Sequence, residues 1–176
     1  MQDELWVFGY GSLIWDPGFE VTERQIARLD GWHRSFCMYS VHYRGTAAQP
    51  GLVLALDAQS GAVCHGVALR AMPGHSDAVL SYLRTRELIS DAYLEKQVDL
   101  SLADGRRVSA VTYVINRDNP QYCHGLSLEV QARVIAGASG VRGPNRDYLT
   151  TTHSHLMEMG VDDPDMAWLA ARLNQM

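Results

Sequence analysis

The chain predicts an α+β fold, a small curved mixed sheet or barrel with flanking helices, on three observations. Short apolar runs closed by glycine turn signals crowd its first two thirds, the pattern of a strongly bent sheet. Helical periodicity takes over after Pro120. With 176 residues, 47% of them hydrophobic, the chain can bury roughly 70% of the surface its unfolded form exposes, enough for a core without staples.

Taken in order, Leu5 to Phe8 is an apolar run ending at Gly9, a buried strand. Val21 to Leu29 and Trp32 to Ser40 are strands on either side of the Asp30-Gly31 turn. Leu52 to Leu56 and Ala62 to Arg70 form a second such pair around Ser60-Gly61. Pro73-Gly74-His75-Ser76 opens the first helix: Ala78, Val79, Tyr82 and Leu83 recur at helical spacing, Ser76 or His75 stands near the cap, and Glu87 lies toward the far end. Tyr93 to Leu102 and Arg106 to Ile115 make a hairpin turning at Asp104-Gly105, a favoured two-residue pair. Helices then cover Ser127 to Gly137, Asn145 to Met159 and Asp165 to Asn174. Ser127 caps the first of them alone, because Val130 stands where a capping box needs Glu or Gln. No linker or repeat divides the sequence, so residues 1–176 are expected to form one domain.

A formal net charge of −5, with Lys and Arg scattered, argues against a nucleic-acid binder, which needs a basic stripe or patch. Met1-Gln2-Asp3-Glu4 is polar, and no apolar run approaches the roughly 18 residues of a membrane span. A cytoplasmic protein with no membrane partner is therefore expected, and a monomer, since no apolar stripe asks for a second chain. Cys37, Cys64 and Cys123 are far apart and odd in number, neither a disulfide framework nor a zinc pattern, and they read as reduced, packed thiols. The seven histidines form no ligand set by spacing. His153 and His155, two apart on a predicted helix, face different ways, unlike an i, i+4 zinc pair. Neither a metal nor another cofactor is expected.

The stretch Val7-Phe8-Gly9-Tyr10-Gly11-Ser12-Leu13-Ile14-Trp15 joins an apolar strand to a glycine-flanked bend. Gly9 and Gly11 carry no Cβ, so the backbone there is free to take positive φ and approach a bound group, with N–H groups and the side chains of Tyr10 and Ser12 exposed beyond it. Such a bend can cradle an anion or an oxyanion; the plainer reading is a chain reversal. It is not a P-loop, for want of Gly-Lys-Ser/Thr, nor a nucleophile elbow, since Leu13-Ile14 follows Ser12. Glu87 closes the segment Tyr82-Leu83-Arg84-Thr85-Arg86-Glu87, and on pattern alone its plainer reading is a solvated helix residue paired with Arg84 or Arg86. Arg44-Gly45-Thr46 offers a cation and a hydroxyl to a substrate carboxylate, or Arg44 pairs on the surface. Tyr93 and Tyr113 bring phenols that can orient a carboxylate or a substrate, with core packing the plainer role for Tyr113.

In order and spacing these segments resemble the γ-glutamylcyclotransferases, and within them the ChaC-type branch that acts on glutathione. Asp16-Pro17-Gly18-Phe19, Gly31-Trp32-His33-Arg34, Pro50-Gly51, Asp118-Asn119-Pro120-Gln121-Tyr122 and Gly143-Pro144-Asn145-Arg146-Asp147-Tyr148-Leu149 extend the likeness over most of the chain. The resemblance implies a mixed fold with a small barrel and an internal aminolysis. The α-amine of a γ-glutamyl group attacks its own side-chain carbonyl, forms 5-oxoproline and expels the remaining amine. A substrate held in the ring-closing conformation reaches effective molarities on the order of 10⁵ M, so neither a covalent intermediate nor a metal is required. The family's acid/base aligns with Glu87, and its γ-glutamyl cradle with Gly9, Tyr10, Gly11, Ser12, Leu13 and Ile14. Arg44 and Tyr93 are taken as further substrate contacts. The chain departs from the family's pattern at Leu88-Ile89-Ser90-Asp91-Ala92-Tyr93, at Tyr43 and at His65, which bears on the peptide side of the substrate. Other γ-glutamyl dipeptides or amines, or a non-catalytic module that keeps the cradle, are the alternatives.

Overall fold

A computed structural model of the chain describes residues 4–176. Strand β1 (Trp6–Gly9) is buried throughout and runs into α1 (Ser12–Trp15), a single helical turn too short for periodicity to reveal. The long strands β2 (Val21–Ser40) and β3 (Gly51–Ala71) follow, then α2 (Ser76–Glu87) and the hairpin of β4 (Tyr93–Leu102) and β5 (Arg107–Ile115). The rest is α3 (Leu128–Gly137), a two-residue ribbon of β6 (Ser139–Gly140) and β7 (Gly143–Pro144), α4 (Asn145–Glu158) and α5 (Pro164–Asn174). Five strands close a barrel in the order β1-β3-β2-β4-β5, with a further pairing of β3 on β5. No helix among the described residues is long and apolar enough to cross a membrane.

The two predicted strand pairs are present as the unbroken runs β2 and β3, with the turn glycines inside them: Gly31 at φ +86° and Gly61 at φ +80°. For β3 the ladders locate the reversal. Its residues 67–70 run antiparallel to β1, Leu56 pairs parallel with Val114 of β5, and β1 is itself parallel to β5. The arms on either side of Gly61 therefore run in opposite senses, and a left-handed glycine at the tip is what lets a tight reversal form.

The chain forms two compact units, one made of residues up to Arg34 with Leu56–Asn116, the other of Ser35–Ala55 with Arg117–Met176. No linker marks them, because two of the three boundaries fall inside β2 and β3. In the first unit, β4 and β5 pair from Tyr93↔Ile115 to Ser101↔Arg107, and Phe8, Leu69, Leu83, Leu100 and Tyr113 are buried. Burying each such aliphatic or aromatic side chain contributes about 1.5–3 kcal/mol.

The second unit packs α3, α4 and α5 on one another around Ile135, Leu149, Leu156 and Leu169. Ser127 caps α3 as expected, accepting from the Val130 N–H at 3.2 Å, and Asp163 caps α5 through Met166 at 3.1 Å. Buried Asn145 satisfies Leu52 from both sides, accepting its N–H and donating to its carbonyl at 2.8 Å each. Cys37 and Cys123 are buried and unbridged, and they face one another beside the Met38↔Tyr122 bridge. Burial pushes the Cys123 thiol up to about 12, which suits packing and not nucleophilic work.

Candidate active site

The site is built within the first unit, and β1 delivers its first half. Ladder pairs from Trp6↔Arg70 to Gly9↔Val67 fix the strand on β3. Gly66 makes that approach possible, since a Cβ there would stand 2.4 Å from the Gly9 carbonyl oxygen. From β5, the Thr112 hydroxyl donates to the Phe8 carbonyl at 3.0 Å. Past Gly9 the chain folds back so closely that a Cβ on Gly9 would touch Leu13 and Ile14 at 3.4 Å. The turn is closed by Ile14 N–H on the Gly11 carbonyl (3.0 Å) and Asp16 N–H on the Ser12 carbonyl (2.8 Å). In so short a helix the N–H groups of Ser12 and Leu13 have no intrahelical acceptor.

Two features of the bend differ from the sequence expectation. Neither Gly9 nor Gly11 takes positive φ: Gly9 ends the β1 ladder and Gly11 has φ −141°. The missing Cβ serves compact folding there, not a left-handed backbone. Nor is Tyr10 exposed. Its ring is buried, because its hydroxyl finds a partner inside, donating to the Tyr113 carbonyl at 2.6 Å. The Tyr10 carbonyl in turn accepts from the buried Arg34 guanidinium at 3.3 Å, which also reaches the His65 carbonyl at 2.8 Å. Leu13 and Ile14 point into the core. What the bend presents is main-chain groups and the half-buried Ser12 hydroxyl.

Helix α2 delivers the second half. Tyr82 and Arg86 lie one turn apart on the same face, and that face is tied to the segment following the bend. Arg86 Nη1 donates to the Asp16 carbonyl at 2.5 Å and to the Tyr82 hydroxyl at 3.2 Å, and Nη2 donates to Ser12 Oγ at 3.3 Å. Arg86 Nε lies 3.3 Å from Glu87 Oε1. Gly18, at φ +75°, packs beneath Tyr82: a Cβ there would lie 1.9 Å from the phenol oxygen. The side chains of Arg86 and Glu87 are only 10% and 15% exposed. Glu87 does pair with Arg86, as the plain reading held, but in a nearly dry corner and not on a solvated face.

Arg84 is engaged elsewhere, in a two-pronged pair with Glu95 of β4 at 3.0 and 2.9 Å. Those hydrogen bonds hold the Glu95 carboxyl below the usual range against the opposing effect of burial, with help from the Tyr113 hydroxyl, which donates to it at 2.9 Å. Burial pushes the Tyr113 phenol far above its ordinary value, and the bond to Glu95 and the negative charges of Glu95 and Glu87 push it further. Tyr113 is thus a neutral donor within electrostatic reach of Glu87. Tyr93, half-buried, begins β4 opposite Ile115.

Arg44 belongs to the second unit. It does not pair on the surface: it is buried, donates to the Pro144 carbonyl at 3.2 Å and lies 5.8 Å over the Tyr148 ring. Burial lowers its pKa, and Tyr148 and Asp147 oppose that. Among the described residues no group of three His, Cys, Asp or Glu side chains is placed to hold a metal ion.

Sequence reasoning named Arg86 only as an ordinary partner of Glu87 and Arg34 only within a segment of the resemblance, and it missed Gly66 altogether as a builder of the site. Arg86 carried a signal, its i, i+4 relation to Tyr82 beside Glu87. The other two contacts are long-range and left no local trace.

A small barrel whose first strand ends in a donor-bearing bend, with an arginine-held glutamate beside it, suits an acid/base enzyme for a small oxygen-rich substrate. A family model described as ChaC-like protein matches residues 5–175, and the chain belongs to that family. The glutathione-specific gamma-glutamylcyclotransferase of Escherichia coli (strain K12) is 40% identical over 159 residues, covering 90% of this chain and 68% of that protein. The glutathione-specific gamma-glutamylcyclotransferase 1 of Danio rerio is 32% identical, covering 98% and 90%. A crystal structure of a glutathione-specific γ-glutamyl cyclotransferase from yeast matches with a TM-score of 0.89 and 25% identity, over 98% of this chain and 96% of that one.

Proposed function

We propose that the chain converts glutathione to 5-oxoproline and Cys-Gly, with Glu87 as the acid/base and the Gly9 to Ile14 bend as the γ-glutamyl cradle. The observation that carries this reading is the single guanidinium of Arg86, which touches both Ser12 Oγ and the Glu87 carboxylate at 3.3 Å. Family membership and the names of the relatives support the substrate. Because the proposed substrate is cytosolic glutathione, the enzyme is placed in the cytoplasm, where thiols such as Cys37, Cys64 and Cys123 stay reduced.

In the reaction the α-amine of the γ-glutamyl group forms a bond to its own side-chain carbonyl carbon, and the old amide bond to the cysteinyl nitrogen breaks. One proton must leave the attacking amine and one must reach the departing nitrogen. The ammonium form, near pKa 8, must give up a first proton before it can attack, and handing it directly to a glutamate near 4.3 costs roughly 5 kcal/mol. Once the new C–N bond forms, the attacking nitrogen is far more acidic and yields its second proton readily. Glu87 serves both steps in turn. The N–H groups of Ser12 and Leu13 and the Ser12 hydroxyl are the donors proposed for the γ-glutamyl oxygens; loss of one oxyanion donor costs about 2.7–4 kcal/mol in other enzymes.

The test is to incubate the purified chain with glutathione and, separately, with a γ-glutamyl dipeptide, and to follow 5-oxoproline and the released amine by mass spectrometry. Equimolar 5-oxoproline and Cys-Gly from glutathione supports the proposal. Release from the dipeptide alone would keep the chemistry and replace the substrate, and release from neither would leave a binding module.

A further inference from the structure

We propose that Arg86 is a positioning residue that couples the acid/base to the cradle, fixing the Glu87 carboxylate and turning the Ser12 hydroxyl into a donor aimed at substrate. This rests on Glu87 acting as the acid/base. A guanidinium has donors and no acceptor, so in the contact with Arg86 Nη2 the Ser12 oxygen accepts. The one Ser12 proton is thereby left for another acceptor, and a carbonyl or carboxylate oxygen of a γ-glutamyl group is of the right kind. The same planar fork meets Glu87 through Nε, so the two groups are held at a fixed separation by one rigid body.

The fork is set before substrate arrives. Its Nη1 is anchored on the Asp16 carbonyl and the Tyr82 hydroxyl, and Tyr82 is backed by Gly18. Lysine, a point charge on a flexible stem, cannot make this set of contacts at once.

The charge has its own consequence. An opposite charge within about 4–6 Å favours the ionised carboxyl by about one to three pH units, and only the carboxylate can accept a proton from an amine. Among the groups that act on Glu87 are Arg86 on its own helix and the neutral phenol of Tyr113 from β5. Arg84 and Glu95 behind Tyr113 are paired with each other, and the Asp16 carboxylate of the segment after α1 lies 3.9 Å from Arg86 Nη2 and is 45% exposed. Removing Arg86 therefore moves the acidic limb of turnover to higher pH.

The experiment is the pH dependence of kcat for 5-oxoproline release by the wild type, Arg86→Lys and Arg86→Met, each with and without Ser12→Ala, with folding checked by circular dichroism. Arg86→Met is expected to raise the acidic limb by about one pH unit or more, with Arg86→Lys in between. Ser12→Ala is expected to slow the wild type by about 10²-fold and to add little to either Arg86 variant. If Arg86→Met does not fold, Arg86→Lys decides: a wild-type limb together with a full Ser12→Ala effect overturns the inference. A wild type that releases no 5-oxoproline is a different result, which removes the cyclotransferase reading and this inference with it.

Discussion

Glu87 meets water through only 15% of its side-chain surface, and for a proton shuttle that fraction is consequential. A carboxylate so enclosed has few competing water partners, so its charge acts on whatever the pocket admits. Glu87→Gln, nearly isosteric, is expected to keep the fold and lose at least about 10²-fold in turnover, as measured by 5-oxoproline release. Glu95 is the contrast: its carboxyl is held down by Arg84 and Tyr113, so it contributes stability above the ordinary glutamate range that is lost as pH falls through its depressed folded value. Glu95→Gln should accordingly lower the melting temperature at neutral pH, with the difference shrinking below about pH 4. A melting-temperature deficit that stayed the same at both pH values would contradict this pairing. At this scale the sequence was partly legible. The likeness of Tyr82-Leu83-Arg84-Thr85-Arg86-Glu87 to the family's pattern, not the doublet by itself, made Glu87 a candidate, and the burial of Tyr10 was not readable, because its hydroxyl is satisfied by a carbonyl 103 positions away.

Among the elements, β1 and the end of α2 are each held by a glycine against something large. Gly66 faces the Gly9 carbonyl, so a methyl there must displace main chain, and Gly66→Ala should destabilise the fold by about 1–3 kcal/mol, read from urea unfolding, and lower turnover through the displaced cradle. Gly18 combines left-handed φ with contact on Tyr82; Gly18→Ala is expected to cost a similar 1–3 kcal/mol and to release Tyr82 from Arg86. Strand and helix positions were legible wherever periodicity met a clear stop, as in β4, β5 and α3. The turn α1 and the ribbon β6–β7 were not, since four residues or two carry no measurable period. Gly61 was read correctly as a turn point, as the opposed ladders of β3 show, while Gly31 takes left-handed φ inside the unbroken run of β2.

For the molecule as a whole, the organisation into two units was not legible, because the chain passes between them inside β2 and β3 with no change of composition. The second unit rests on a different polar device, Asn145 clasping Leu52. Asn145→Ala leaves two buried main-chain groups without partners, at about 1–3 kcal/mol each, and a marked fall in the urea midpoint is the expected result. The barrel and the family were legible because many weakly informative segments, from Gly9-Tyr10-Gly11-Ser12 to Asn145-Arg146-Asp147-Tyr148, occur in one order along one chain. The most direct test of the central claim is a single-turnover assay of glutathione with excess wild-type or Glu87→Gln protein, following 5-oxoproline and Cys-Gly together. The account predicts equimolar release by the wild type and near-absence of both products with the folded variant; undiminished release by Glu87→Gln would contradict it.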